Sequence, residues 1–418
     1  MRCWHISLWL LGMLTSPAAG QEWTRFRGPN GSGLSTARSL PFRWTESDVA
    51  WKVKLAGTGH SSPVLWGNKI FVTSGNDKTG TRIVQCLENK ASPARERPQF
   101  LWQKEYSGPV SGKHADNSFA SATPAVDERQ VYVTFASAKD YLVIALDHAG
   151  KEAWRIDLGP SRAGHGCGAS PIVHDGMVIV PNDQDGKSCA VALDTKSGKV
   201  RWRIERKSRT AYGTPCIFQQ SGKPAELILV SYEQGFTSID PRTGQTNWEA
   251  DVFSKKHVEG AIASPIIHGN LVLGTCGWLG VQYETVALAP RADGKRPKVT
   301  YRIEKVAPLV PTPLVQGDLL FLWNDRGVVT CADAEIGKTH WRERVPGSYY
   351  GSPVFANGHL YAMSREGDVV VLAADRKFRL VARNLLGEGS HSTPAIAGET
   401  LYLRTFTHLA AIRAGKPR

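Results

Sequence analysis

The stretch GASPIVHDGMVIVPNDQDGKSCAVALDTKSGKVRW, residues 168–202, holds every recurring feature of the chain. A Ser-Pro step is followed by an apolar run, a Gly turn and a β-rich triplet. A second turn leads to a run closing in Ala-Leu-Asp, and a Gly-Lys turn then leads to a Trp. GSPVFANGHLYAMSREGDVVVLAAD, residues 351–375, repeats the order. The Ser/Thr-Pro steps fall at Pro63, Pro124, Pro171, Pro215, Pro265, Pro313, Pro353 and Pro394, with intervals of 40 to 50 residues after a first interval of 61. The long interval contains the polar insertion ENKASPARERPQF.

Each copy supplies four short runs rich in β-branched and aromatic residues, as strands require, and no helical periodicity separates them. Asp147 and Asp194, with close matches at Asp240 and Asp333, are placed to accept turn N–H groups, and the following Gly supplies positive φ. The Trp residues at 154, 202, 248 and 341 lie on the outermost strand, where their rings can be buried between neighbouring units. Eight such units predict an all-β fold, an eight-bladed β-propeller of four-stranded antiparallel blades. The last copy ends at LAAIRAGKPR with no Trp strand, whereas AWKVKL, residues 50–55, is a Trp strand without a copy of its own. The N-terminal strand is therefore expected to complete the last blade and close the ring. Tyr301 in the fifth copy and Leu380 in the seventh are expected to replace the Trp.

The order of domains follows. Residues 1–20 have an early basic residue, an apolar core from Ile6 to Leu14 and a small-residue end, the layout of a signal peptide cut near Gly20/Gln21. Residues 21–48 form an N-terminal arm, and 49–418 the propeller. The apolar run is too short to span a bilayer, and no later segment could do so. Cys3 precedes that run, where it cannot serve as a lipid anchor. An exported protein, periplasmic or secreted, is expected, without a membrane span and as a monomer. Export also argues against nucleic acid as a partner, although the formal charge is +13. The basic residues are scattered through turns, so a solvated surface accounts for them, and contact with cell-envelope components is the alternative. Six cysteines remain after processing; they could pair in an oxidising compartment or be buried free thiols.

The Ala-Leu-Asp, Gly-Lys, Trp signature resembles the repeat of the pyrroloquinoline-quinone-type (PQQ-like) propellers over nearly the whole mature chain. That family contains quinoprotein alcohol dehydrogenases, the outer-membrane assembly lipoprotein BamB and exported members without assigned activity. WTRFRGPNGSG, Trp23 to Gly33, is similar to a leader found on the last group. The resemblance implies a quinone held beside Ca²⁺ in the dehydrogenases, with a disulfide between adjacent cysteines. This chain has no adjacent cysteines, no CxxCH for haem, and no segment onto which the calcium ligands can be carried. The expected function is thus a binding or scaffold protein working through its channel mouth on a small molecule or a protein. A PQQ-dependent oxidoreductase with Ca²⁺ is the alternative; no other cofactor and no metal site is indicated.

Residues just before the innermost strand should line that mouth. Three before each Pro stand His60, Ser121, Gly168, Tyr212, Ile262, Val310, Tyr350 and His391, so blades seven, eight and one contribute Tyr350, His391 and His60 in succession. Two imidazoles and a phenol suit anion binding, metal ligation or proton transfer, or simple packing against Gly-rich loops. His165, Cys167 and His114 occupy equivalent loops. The fragment NDQDG, 182–186, has the look of a calcium loop but lacks the distal Glu, so a turn is expected.

Overall fold

The computed structural model describes residues 23–89, 97–110, 113–254, 260–278, 282–291 and 296–414. The expected signal peptide and its cut lie outside these residues. Eight four-stranded antiparallel sheets make up the fold. Seven are meanders of consecutive strands, such as Ile172–His174, Met177–Asn182, Ser188–Asp194 and Val200–Arg206 in the third blade. The eighth takes three strands from the C-terminal end, and its outermost strand is Val49–Lys54. Trp51 pairs with Ala411 there, so the strand without a copy closes the ring as its sequence implied. Among the described residues no helix is long and apolar enough to cross a membrane.

The repeat signature now has a physical reading. Every blade has a register shift between its third and fourth strands. Such a bulge adds twist and re-aims one side chain. The re-aimed residue is Trp102, Trp154, Trp202, Trp248, Tyr301, Trp341 or Trp51, and it pairs with a small residue: Cys86, Ala145, Ala192, Ser238, Ala287, Cys331 or Ala411. The Trp102 indole donates to His148 O at 3.1 Å, Trp154 to Thr195 O at 2.8 Å and Trp202 to Pro241 O at 2.8 Å, each in the next blade. The turn glycine has a second duty here. A Cβ on Gly150 would lie 2.7 Å from the Trp102 ring, and one on Gly198 2.8 Å from Trp154. Asp147 and Asp194 accept the turn N–H groups as expected.

The core is accordingly divided into slabs between blades. One joins Ile172, Ile179, Ala192 and Trp202 of the third blade to Leu227, Leu229 and Ile239 of the fourth. The six cysteines among the described residues are free thiols and five are buried. Cys86 and Cys331 serve as the small residues under a Trp ring.

The seventh blade departs from expectation. Ala382, not Leu380, takes the Trp position opposite Val371, and Leu380 is exposed. The arm compensates: Trp44 packs against the cluster containing Ala382, and its backbone N–H donates to Asn384 Oδ1 at 3.1 Å. Within the fragment 182–186, Asn182 ends a strand and the rest connects it to Ser188–Asp194, as a hairpin link; Asp183 is paired with buried Arg206 at 2.7 Å.

Candidate functional site: the channel mouth

The Ser or Thr before each proline explains how the blades are held around the axis. Its hydroxyl oxygen accepts a bond from the backbone N–H of its counterpart in the preceding blade. Ser62 N–H donates to Thr123 Oγ1 at 2.9 Å, Thr123 to Ser170 Oγ at 2.9 Å, and Ser170 to Thr214 Oγ1 at 3.1 Å. Thr214, Ser264, Thr312 and Ser352 continue the series. Thr393 N–H donates to Ser62 Oγ at 3.2 Å and closes it. Eight hydroxyls therefore ring the channel, each accepting from one neighbour and keeping a proton for a further acceptor.

Above this ring lies a cavity of about 300 Å³. All eight residues three positions before the prolines line it, and so do the eight hydroxyl residues. Its lower end is formed by the arm. Trp23 O accepts from Leu65 N–H in blade one at 2.9 Å, and Thr24 O from Val126 N–H in blade two at 2.9 Å. Arg25 donates to Pro215 O, and Arg27 to Pro313 O at 2.8 Å and Pro353 O at 3.3 Å. These carbonyls belong to the residues directly below the hydroxyl ring, and Phe26, between the two arginines, reaches the cavity. Three glycines at positive φ let the arm fold on itself. A Cβ on Gly28 would sit 2.5 Å from the Trp23 ring, one on Gly33 2.6 Å from Arg27, and Gly31 lies beside Arg25. Desolvation lowers the Arg25 pKa to about 10 and the Arg27 pKa to about 9.

On one wall His60 and His391 have ring centroids 4.5 Å apart, and Tyr350 stands edge-on to His391 at 4.8 Å. Phe406 closes behind both imidazoles. His391 is fully engaged: Arg365 Nε donates to its Nε2 at 3.1 Å, so Nδ1 carries the proton and donates to Asp116 O at 3.1 Å. Burial, and then the Arg365 charge, hold its pKa at about 4. Burial pushes His60 down to about 2, with His391, Arg404, Lys113 and Arg365 adding to the effect. Arg404 is itself buried, donates to Ser61 O at 2.9 Å, and is lowered by desolvation to about 9.

The opposite wall holds His114 and His165, 5.0 Å apart, with Tyr212 edge-on to His165 at 6.2 Å. Gly168 admits Tyr212, whose ring would be 3.0 Å from a Cβ at that position. Asp116 N–H donates to His114 Nδ1 at 3.1 Å, which occupies that lone pair. Cys167 is not on the cavity wall. Its thiol lies between blades two and three, 3.8 Å from the Tyr141 hydroxyl, and burial raises its pKa to about 11. That environment makes a poor nucleophile.

Sequence reasoning placed His114 on a mouth loop but missed Asp116 and Asn117 of the same segment, which join the two walls. Residues 113–124 run along the mouth, with His114, Asp116, Asn117, Ser121 and Thr123 on the cavity. Asn117 donates to Cys167 O at 3.4 Å on one side, and Asp116 meets Arg365 at 2.6 Å and the Tyr350 hydroxyl at 3.3 Å on the other. The length of that connection was the available signal. Asp325 also lines the cavity; burial raises its pKa, although Leu309 and Val310 N–H groups bond it at 2.8 and 3.1 Å. Asp116 and Asp325 are the carboxylates on the cavity wall, and among the described residues no group of three or more His, Cys, Asp or Glu could hold a metal ion. Both carboxylates are engaged within the protein, Asp116 with Arg365 and Asp325 with two backbone N–H groups.

The sequence matches the family described as outer membrane protein assembly factor BamB over residues 94–297 and 284–416. Among solved structures it is similar to BamB from Moraxella catarrhalis, with 14% identity, a TM-score of 0.63, and coverage of 86% of this chain and 98% of that one. Quinohemoprotein alcohol dehydrogenase from Comamonas testosteroni gives 12% identity and a TM-score of 0.66, covering 95% and 81%. Sqt1 from Saccharomyces cerevisiae gives 10% and 0.63, covering 91% and 100%. At these identities the likeness is one of fold. The serine/threonine-protein kinase AfsK of Streptomyces griseus is 26% identical over 184 residues, which is 42% of this chain and only 20% of the kinase.

Proposed function

The chain belongs to the PQQ-like propeller family described as outer membrane protein assembly factor BamB, and from that premise we propose that it is an exported binding propeller. It takes a small ligand into the channel mouth without transforming it. The carrying observation is that three of the groups chemistry would draw on are already engaged or lie off the cavity. His391 has both ring nitrogens occupied, Asp116 is paired with Arg365, and the Cys167 thiol is buried off the cavity. A general base or nucleophile needs a free lone pair within reach of a reacting atom. What the mouth offers instead is a closed floor, a ring of hydroxyl donors and aromatic walls, which are means of holding a molecule. A cell-envelope location accords with the family and with the leader-like residues 1–20.

Small molecules retained by the purified chain, released by denaturation and read by mass spectrometry, test this reading. Ile262→Trp fills the cavity from its rim and is expected to abolish retention at an unchanged thermal midpoint. The same molecules retained in equal amount by the variant would refute the assignment. The quinoprotein alternative is tested by adding PQQ and Ca²⁺ and following the quinone absorbance, for which no shift is expected.

A further inference from the structure

The ligand's chemistry can be read from what now occupies the mouth; the step rests on the binding role proposed above. Asp116 comes from the connection between blades one and two, yet its side chain is bound by blade seven. One carboxylate oxygen accepts from Arg365 Nη2 at 2.6 Å and the other from the Tyr350 hydroxyl at 3.3 Å. The Arg365 guanidinium lies 4.2 Å above the Tyr350 ring, and its Nε is fixed by His391. Thus a guanidinium, stacked on an aromatic ring and braced from behind, is paired with a phenol so that the two grip both oxygens of one carboxylate. This is the donor arrangement by which proteins recognise carboxylates. Asp116 lines the cavity and Arg365 does not, so the internal carboxylate stands on the ligand side of the guanidinium.

The hold on Asp116 is weak by construction. The ion pair is half-exposed, at 31% and 37%, and such pairs contribute little. The remaining charges around the mouth favour an anion. Arg404 is buried and its guanidinium bonds to serine oxygens, with no carboxylate among those partners. His114 Nδ1 lies 3.9 Å from the Asp116 carboxylate and Lys113 pairs with Asp77 at 3.4 Å; Asp325, the other carboxylate on the cavity wall, accepts from the Leu309 and Val310 N–H groups, and Glu366 bonds to Ser348.

We propose that Arg365 and Tyr350 form the carboxylate-binding end of the mouth cavity, and that Asp116 occupies it as an internal stand-in which a carboxylate ligand displaces. The ligand class is a small organic carboxylate. On binding, the connection carrying Asp116 and Asn117 is released from blade seven while Asn117 keeps its tie to blade three.

Acetate and acetamide, matched in size and differing in charge, are the probes, with inorganic phosphate as a second anion. Binding is read by NMR titration of the histidine side chains in the full mature chain. Asp116→Asn removes the competitor and is expected to bind acetate about three- to fivefold more tightly than the parent chain. Arg365→Gln is expected to lose acetate binding. Neither substitution should alter the response to acetamide, and phosphate should bind less tightly than acetate. Acetamide binding as well as acetate would overturn the carboxylate inference and leave the binding role standing. Phosphate binding more tightly, or acetate affinity unmoved in Asp116→Asn, would overturn it too, as would absence of acetate binding in every variant. Failure of the binding role itself is read separately, from retention by the Ile262→Trp chain.

Discussion

The two ends of the channel are built from the same eight strands and do opposite things with charge. At the base, Arg25 and Arg27 are buried against carbonyls of the prolines that precede the inner strands, and glycines fold the arm tightly around them. At the mouth, Arg365 is half-exposed and held by a carboxylate from a distant connection. A buried guanidinium bonded to backbone cannot be released without leaving unpaired polar groups, whereas a half-exposed ion pair can be exchanged with water at little cost. The base is therefore a fixed plug, and the mouth is exchangeable. His60 and His391, which draw attention in the sequence, are kept neutral by burial.

Substitutions should separate the two ends, and the largest effect belongs to the base. Gly28→Val places a branched side chain at φ 65° against the Trp23 ring and is expected to cost about 3 kcal/mol or more, read as a lower thermal midpoint. An unaltered midpoint would mean the arm does not plug the channel. Next comes ring closure. Ser62→Ala removes the acceptor for Thr393 N–H, and a buried donor left unpaired costs about 1–3 kcal/mol by denaturant unfolding.

Acid is expected to act through the two buried imidazoles of the mouth. Folded His60 and His391 are held at about 2 and about 4, well below the ordinary 6.5, so the unfolded chain takes up protons that the folded one refuses. Stability should be level above pH 6.5 and fall as the pH drops from 6.5 toward 4, by several kcal/mol in all, since each imidazole kept neutral costs about 1.4 kcal/mol per pH unit. The double change His60→Asn, His391→Asn should flatten that slope, and an unchanged slope would assign it to other groups. The smallest stability effect is at the exchangeable end: Arg365→Gln should shift stability by less than about 1 kcal/mol. A loss as large as that of Gly28→Val would erase the distinction between base and mouth.

Much of this architecture was legible because the repeat is strict. Eight prolines in phase counted the blades, and Trp51 announced the closing strand. The residues three before each proline line one cavity for the same reason: each is a fixed step from a strand that starts at the same height. What lay hidden depends on contacts between residues far apart in sequence. Asp116 and Arg365 are separated by 249 positions, and nothing periodic relates a connection in one blade to a turn in another. The serine and threonine hydroxyls stood in plain view, but their role appears only once neighbouring blades are side by side. Leu380 misled because bulge register, not apolar character, selects the residue that docks on the next blade, and Ala382 has that register. WTRFRGPNGSG was legible as a leader but not as a plug, since its glycines make sense only when Trp23, Arg25 and Arg27 are seen packed on them.

The account turns on the mouth holding rather than reacting, and the tautomer and charge of His391 report on that directly. Nitrogen-15 NMR of histidine-labelled protein between pH 7 and pH 5 is predicted to show His391 neutral throughout, with its proton on Nδ1 and Nε2 accepting from Arg365. A His391 ring that titrates near 6.5, or that carries its proton on Nε2, would place a free imidazole at the mouth and contradict the account.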